Sequence, residues 1–395
     1  MLRVASSAPL DAKIGTISPQ MSEQGKLGIV LTGGGARAAY QVGFLRCMAR
    51  HAPEMRPPII TGVSAGAINA VFLAAHAGTV GEAAEALTEL WTGLSPEKVF
   101  NADLWCLLRT AARWSFGLLS GGHGDSAKMR GLLDTAPLRE ILEAALEDEQ
   151  GRIPGIAANL AAGRLESLAV STLNYATGQT VTWVQGHEIE SWSRPQRLGV
   201  NTNIVAEHIM ASSSLPILFP AQQLDGAWYG DGGVRFLTPL APAIHLGADR
   251  LLAISTRYDR TLAEASTPTV SGYPPPAQIL GAMLNAVFLD SVDQDARRLE
   301  RINLLLAGQE RSELKPIQLM ILRPSQDLGR LAADYESRLP GPFRFVTRGL
   351  GTRRTSSPDF LSLLMFQSDY LRRLIEIGEA DAEARLDEIM ELVGG

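Results

Sequence analysis

A three-layer α/β sandwich with a mainly parallel but mixed sheet, followed by a C-terminal helical extension, is the fold class this sequence predicts. Three observations predict it. Short apolar runs alternate with helix-period segments, the first two runs stop at glycine-containing turns, and the last third is dominated by long helix-forming stretches. Such alternation implies a parallel sheet with helices on both faces.

Taken in order, Lys26 to Thr32 (KLGIVLT) is an apolar strand that ends at Gly33-Gly34-Gly35, and Arg37 to Arg50 recovers helical spacing through Tyr40, Phe44, Leu45 and Met48. Ile59 and Ile60 lead into Thr61 and Gly62, and a small-residue helix runs from Ser64 to about Ala77. Ser167 to Leu173 and Gln179 to Val184 are strand-like around an Asn174-to-Gly178 turn; pairing as a hairpin makes the sheet mixed. Leu251 to Ser255 and Ile317 to Leu322 read as later buried strands. A Pro-rich break at Tyr273 to Pro276 precedes one long helical segment, Ala277 to Leu306, and Pro358 to about Leu392 forms another. The expected organisation is a loose tail (1–24), a catalytic core (25–260) and a mostly helical extension (261–395) packed on that core.

With 395 residues, 46% of them hydrophobic, the chain is long enough to bury a large core. The balance of 36 basic against 42 acidic side chains argues against a nucleic-acid partner, which needs clustered positive charge. Cys47 and Cys106 alone make no disulfide framework, which fits a reducing compartment. The first two dozen residues hold no continuous apolar stretch and do not read as a secretory signal. Ala67–Ala77 and Gly281–Leu289, the most apolar segments, fall well short of the ~20 residues of a spanning helix. A cytoplasmic protein is expected, with any membrane contact peripheral.

Gly62-Val63-Ser64-Ala65-Gly66 matches GxSxG where a strand ends and a helix begins, the context of a nucleophile elbow. A plain Gly/Ser turn is the bland alternative. Gly33-Gly34-Gly35-Ala36-Arg37-Ala38 also fits the GxGxxA dinucleotide fingerprint, but the second strand ends in Thr61-Gly62-Val63-Ser64 without the acid that would hold a ribose, and a P-loop lacks its GK[ST]. What remains is a nest of backbone N–H groups for an anion, which in an acyl hydrolase is the oxyanion of the tetrahedral intermediate. Arg37 either fixes this loop or is a solvated helix-start arginine. Asp231-Gly232-Gly233 follows Trp228-Tyr229-Gly230, a strand ending in a Gly turn with the carboxylate at its tip. Ser64 needs a base, and both it and Asp231 are expected on surface turns at the sheet edge. Ser64, Asp231 and His245 occur in the chain order of an ordinary triad, yet His245 lies near the end of a short helix over Pro239 to Leu246, where it complements the dipole. His51, His76, His123, His187 and His208 show no metal-ligand spacing, and neither metal nor cofactor is expected.

A Gly-rich loop, a GxSxG one βα unit later and a distant DGG together resemble the patatin-like phospholipases. The resemblance runs from Leu27 to about Ser255 and includes Ala211 to Pro220 (ASSSLPILFP), similar to the family's segment before its aspartate. It implies that Ser64 attacks an ester carbonyl, that Asp231 accepts its proton without a histidine, and that Gly33, Gly34, Gly35, Ala36 and Arg37 form the oxyanion hole. Gly62, Gly66, Gly232 and Gly233 support these motifs. Ala38 departs from the family's usual glycine, and DGG from its commoner DGA. The implied substrate is a fatty-acyl ester of a lipid. A short-chain esterase or thioesterase with the same dyad, and a catalytically silent lipid- or protein-binding member, are the alternatives. Leu104 to Leu119, with Arg109 and Arg113, is either a buried helix or a membrane-touching one, and Arg344, Arg348, Arg353 and Arg354 either face solvent or meet anionic headgroups.

Overall fold

The computed structural model describes residues 25–101, 131–187, 189–288, 290–307, 314–355 and 358–394. The tail and the Leu104–Leu119 segment, with Cys106, Arg109, Arg113 and His123, lie outside them.

Ten strands form one sheet: β1 (Leu27–Leu31), β2 (Ile59–Val63), β3 (Ser167–Asn174), β4 (Thr180–Gly186), β5 (Ser193–Arg194), β6 (Arg197–Asn201), β7 (Gln222–Leu224), β8 (Ala227–Asp231), β9 (Arg250–Ile254) and β10 (Gln318–Leu322). The order is β10-β9-β1-β2-β3-β4-β6-β5, with β8 paired to β3 and β7 to β8. From β10 to β3 all neighbours are parallel, whereas β3 pairs antiparallel with both β4 and β8, so the sheet is mixed. β1 and β2 are buried throughout, as strands covered on both faces must be. Ile29, Leu31, Leu252 and Ile254 pack into the larger core on one face, and Val30, Leu251 and Ala253 into the smaller core on the other.

The helices used below are α1 (Ala39–His51), α2 (Ala65–Ala75), α3 (Val80–Gly93), α4 (Ala206–Ser212), α5 (Ala241–His245), α6 (Pro276–Phe288), α7 (Ser291–Leu306), α8 (Gly341–Gly349), α9 (Asp359–Leu364) and α10 (Ser368–Ala384). α1, α3 and α10 lie against one another on the larger-core face, while α5 packs on the opposite face against β1 and β2. The chain is therefore a three-layer α/β sandwich with additional C-terminal helices.

Two expectations need correction. The single helix over Ala277 to Leu306 is two, α6 and α7, separated at Asp290, whose N–H turns back to the Asn285 carbonyl at 3.2 Å. The segment from Pro358 is α9, α10 and a final helix, Leu386–Gly394; Met365 leaves the helix at φ −80°, ψ 68° so that Phe366 buries against Phe100. Neither break carries a Gly or Pro that periodicity could reveal. The strand expected over Ile317 to Leu322 is present as β10, which joins the main sheet by pairing with β9 from Gln318↔Arg250 to Leu322↔Ile254.

Candidate active site

Strand register brings two distant residues together. β3 has eight residues against five in β2, and the shared register ends at Val63↔Ser171. Past that point β8 takes the vacant edge of β3, with Asp231 opposite Thr172. Val63 and Asp231 thus stand opposite consecutive residues of β3, and Ser64 follows directly on Val63. The Ser64 hydroxyl donates to Asp231 Oδ2 at 2.6 Å across 167 residues of sequence.

Ser64 holds φ 56°, ψ −137°, a region that side-chain-bearing residues rarely enter and that costs on the order of 1–3 kcal/mol. This is the sharp turn between β2 and α2. A Cβ at Gly62 would meet that of Ala70 at 2.6 Å, and one at Gly66 would meet the Leu31 carbonyl oxygen at 2.3 Å, so both flanking glycines are sterically required. The turn is also tied down: Ser64 N–H donates to Ser212 Oγ at 2.9 Å, Ser212 Oγ donates to the Ser171 carbonyl at 2.7 Å, and Ser213 Oγ donates to the Ser64 carbonyl at 3.1 Å.

Asp231 is fully buried, and Ser64 is 2% exposed. Neither occupies the surface turn expected from the sequence, because α4 and the Ser213–Leu215 segment close over the strand ends. Asp231 Oδ1 accepts from the Gly233 N–H at 2.8 Å, and its own N–H donates to the Ser214 carbonyl at 3.0 Å. Burial pushes the carboxyl up to about 7; the hydrogen bonds from Ser64 and Gly233 act the other way and only limit the rise.

Gly33, Gly34 and Gly35 cross the mouth of the elbow. A Cβ at Gly33 would meet Ser64 Cβ at 2.8 Å, and Gly34 and Gly35 adopt φ 149° and 54°. Gly35 to Ala38 make a 3₁₀ turn, so the N–H groups of Gly35 and Ala36 have no partner inside it, whereas the Arg37 N–H donates to the Gly34 carbonyl at 3.1 Å. The backbone N–H of Arg37 is therefore already engaged within the loop. Its side chain is not solvated either. It is 3% exposed, with Nη2 on Asp359 Oδ1 and Nε on Ser362 Oγ, both at 2.6 Å. Arg37 fastens the glycine loop to α9.

None of the described histidines bonds either residue. His245 stacks on Trp192 at 5.4 Å between centroids, and His208 accepts from the Val205 N–H through Nδ1. Among the described residues one group has donors close enough for a metal ion, Cys47, His51 and Glu383, and it lies toward the end of α1 away from the glycine loop.

The patatin-like phospholipase family model matches residues 29–244, more than half of the chain and inclusive of the loop, Ser64 and Asp231. The chain belongs to the patatin-like phospholipase family. Among solved structures, it is similar to VipD from Legionella pneumophila, at 13% identity over 92% of this chain and 67% of that one, with a TM-score of 0.39. It is also similar to human GIVD cytosolic phospholipase A2, at 12% identity over 98% of this chain and 64% of that one, with a TM-score of 0.43. The same human enzyme in complex with methyl gamma-linolenyl fluorophosphonate matches at 14% identity over 94% and 59%, with a TM-score of 0.40. No curated protein sequence matches. The chain spans about two thirds or less of these structures. No helix among the described residues is long and apolar enough to cross a membrane.

In this patatin-like phospholipase family member, three features of the site had no signal in local motif or periodicity. The run Ser212-Ser213-Ser214 supplies three bonds to the elbow and to Asp231; only its place in a family-like segment marked it. A buried polar chain runs from Trp91 Nε1 to Asn69 Oδ1 (2.7 Å), from Asn69 Nδ2 to Gln41 Oε1 (2.9 Å) and from Gln41 Nε2 to the Thr32 carbonyl (2.8 Å), joining α3, α2 and α1 to the end of β1. Beside Ser64 lies an apolar cavity of about 30 Å³, walled by Ile68, Leu94, Leu215, Phe219, Leu363 and Phe366. That space is no larger than a water or two.

The Arg37 clasp leads to a stability prediction. Arg37→Ala leaves the partly buried Asp359 with only Arg260, 3.9 Å away, opposite it, and a loss of about 3 kcal/mol is expected in urea unfolding. Arg37→Lys should recover less than half, because an ammonium cannot reach Asp359 and Ser362 in the fork geometry. A loss under about 1 kcal/mol for Arg37→Ala would mean that the clasp carries no stability.

Proposed function

We propose that this chain is a serine hydrolase of fatty-acyl esters in lipids, phospholipids included, working through a Ser64–Asp231 dyad and an acyl-enzyme. The observation that carries the reading is the direct 2.6 Å hydrogen bond from Ser64 Oγ to a buried carboxylate, with no histidine interposed. As Oγ attacks the ester carbonyl carbon, its proton passes to Asp231 Oδ2 and the carbonyl oxygen becomes an oxyanion. The N–H groups of Gly35 and Ala36, without a partner inside the 3₁₀ turn, are the donors nearest to hand, and each is worth roughly 2.7–4 kcal/mol to such a transition state. Asp231 then returns the proton to the leaving alcohol. Water attacks the acyl-enzyme by the reverse arrangement and releases the fatty acid. A carboxyl held near neutrality suits this traffic, since it both accepts and gives up a proton around pH 7.

On this reading residues 25–260 are the catalytic unit, and 261–395 cover it and hold the oxyanion loop through Arg37. The small cavity favours one alternative, an esterase for short acyl groups, unless its Phe219, Leu363 and Phe366 wall yields to a chain. Both are tested by release of fatty acid from mixed phospholipid vesicles beside hydrolysis of short and long p-nitrophenyl esters. His245→Ala should keep at least half of wild-type activity throughout, because the ring is occupied with Trp192. Activity on short esters alone selects the esterase. A folded His245→Ala protein as inactive as one without Ser64 rejects the histidine-free mechanism.

A further inference from the structure

Two stretches of the C-terminal third depart from the composition of the chain, whose net charge is −6. Residues 266–289 contain no charged side chain, and residues 339–358 contain Arg344, Arg348, Arg353 and Arg354 with no acid. The fold joins the two. Ala277 at the start of α6 donates its N–H to the Leu350 carbonyl just after α8 (2.9 Å), and Thr355 Oγ1 donates to Gln278 Oε1 (2.6 Å).

Each helix is apolar on both sides. Inward, Phe288 of α6 lies against Gly233, where an added Cβ would meet its ring at 2.4 Å, two residues from Asp231. Phe343 of α8 packs 5.4 Å from Phe100, which in turn packs 6.0 Å from Phe219 in the cavity wall beside Ser64. Outward, Ile279 and Met283 share one exposed face of α6, Phe345 and Val346 project from α8, and Tyr273 precedes α6; Met283, Phe345 and Tyr273 are 60%, 74% and 89% exposed. Apolar surface of this kind, left on a water-facing helix, marks an interaction site.

We propose that this outer face of α6 and α8 is the surface by which the protein docks on an anionic phospholipid membrane. Two arguments select that occupant. The apolar side chains lie on convex helix faces bordered by four arginines and free of acids, which is the composition that inserts shallowly among headgroups and is drawn to negative lipid. One of the four, Arg353, leans toward Glu336 at 3.7 Å; Arg344 caps the Ser337 carbonyl without losing its charge. The second argument rests on the proposed lipid hydrolase activity: α6 packs on Gly233, beside Asp231, and α8 reaches the cavity wall through Phe100, so docking here holds that end of the molecule near the layer that contains the substrate.

The test reads binding without turnover, by cosedimentation of the Ser64→Ala protein with vesicles of phosphatidylcholine, alone or with phosphatidylglycerol added. Binding is expected to be stronger to the anionic vesicles and to weaken as salt rises. Adding Arg348→Glu and Arg354→Glu should lower affinity for the anionic vesicles by at least about tenfold and abolish the lipid preference. Adding Phe345→Ser and Met283→Ser should weaken binding to both vesicle types. On the Ser64-containing background the same pairs should lose vesicle hydrolysis while keeping activity on a soluble short ester. Vesicle binding that neither pair changes, or no binding to either vesicle, overturns the proposal, the latter in favour of a protein partner. Binding that follows the pattern with no hydrolysis of any ester leaves the docking surface in place and removes the catalytic reading instead.

Discussion

Replacing Ser64 by alanine is expected to remove activity by on the order of a million-fold while the protein still folds. The loss is that large because no other described nucleophile shares the hydrogen bond to Asp231, and oxyanion donors alone act only on a carbonyl that something attacks. Folding survives because alanine keeps the Cβ, the φ of 56° and the backbone bonds to Ser212 and Ser213. What disappears is a single hydroxyl in a space the size of a water. A fluorophosphonate should label the wild-type protein at Ser64 and leave the alanine variant unlabelled. Residual activity of more than a few per cent, or a label on another serine, would move the nucleophile elsewhere.

Asp231→Asn is expected to lower kcat by about 10⁴-fold, the upper range for removal of a general base. Its pH behaviour separates a base from a mere prop. In the wild type, kcat/KM should climb about tenfold per pH unit on the acid side and level off near pH 7, where burial has placed the carboxyl. Stability runs the other way. The folded-state pKa is raised from 3.8 to about 7, so between those values the unfolded chain releases a proton that the native protein retains. Native stability therefore falls as pH rises through that window and is flat above it. Asparagine carries no charge to bury, and its amide can bond both Gly233 N–H and Ser64 Oγ. The variant should thus melt higher relative to wild type at pH 8 than at pH 4, with activity lost at both. A difference in melting temperature that does not change with pH would show that Asp231 is not held near neutrality.

Much of the fold was legible because it rests on local chemistry. KLGIVLT and the Ile59–Ile60 run are strands because continuous apolar runs bounded by glycine suit a sheet buried on both faces. The elbow was legible for the same reason: Gly62, Ser64 and Gly66 are what one sharp turn between β2 and α2 demands of its own neighbours. The helix breaks at Asp290 and Met365 were not legible, since long-range burial rather than a local breaker ends those helices. Arg37 shows the same limit. From sequence it was as good a solvated arginine as a structural one, and only its pairing with Asp359, 322 residues away, decides between them.

The sequence by itself determined the α/β class, the identity of the three motifs and the residues proposed as nucleophile and base, because each depends on side chains within a few positions of one another. Tertiary structure alone decided that Ser64 meets Asp231 rather than His245, that both are buried, and that the carboxyl titrates near pH 7. Those outcomes follow from the register of β2 and β8 on the two halves of one edge of β3, and from the low-dielectric cover laid over that edge by segments far away in the chain.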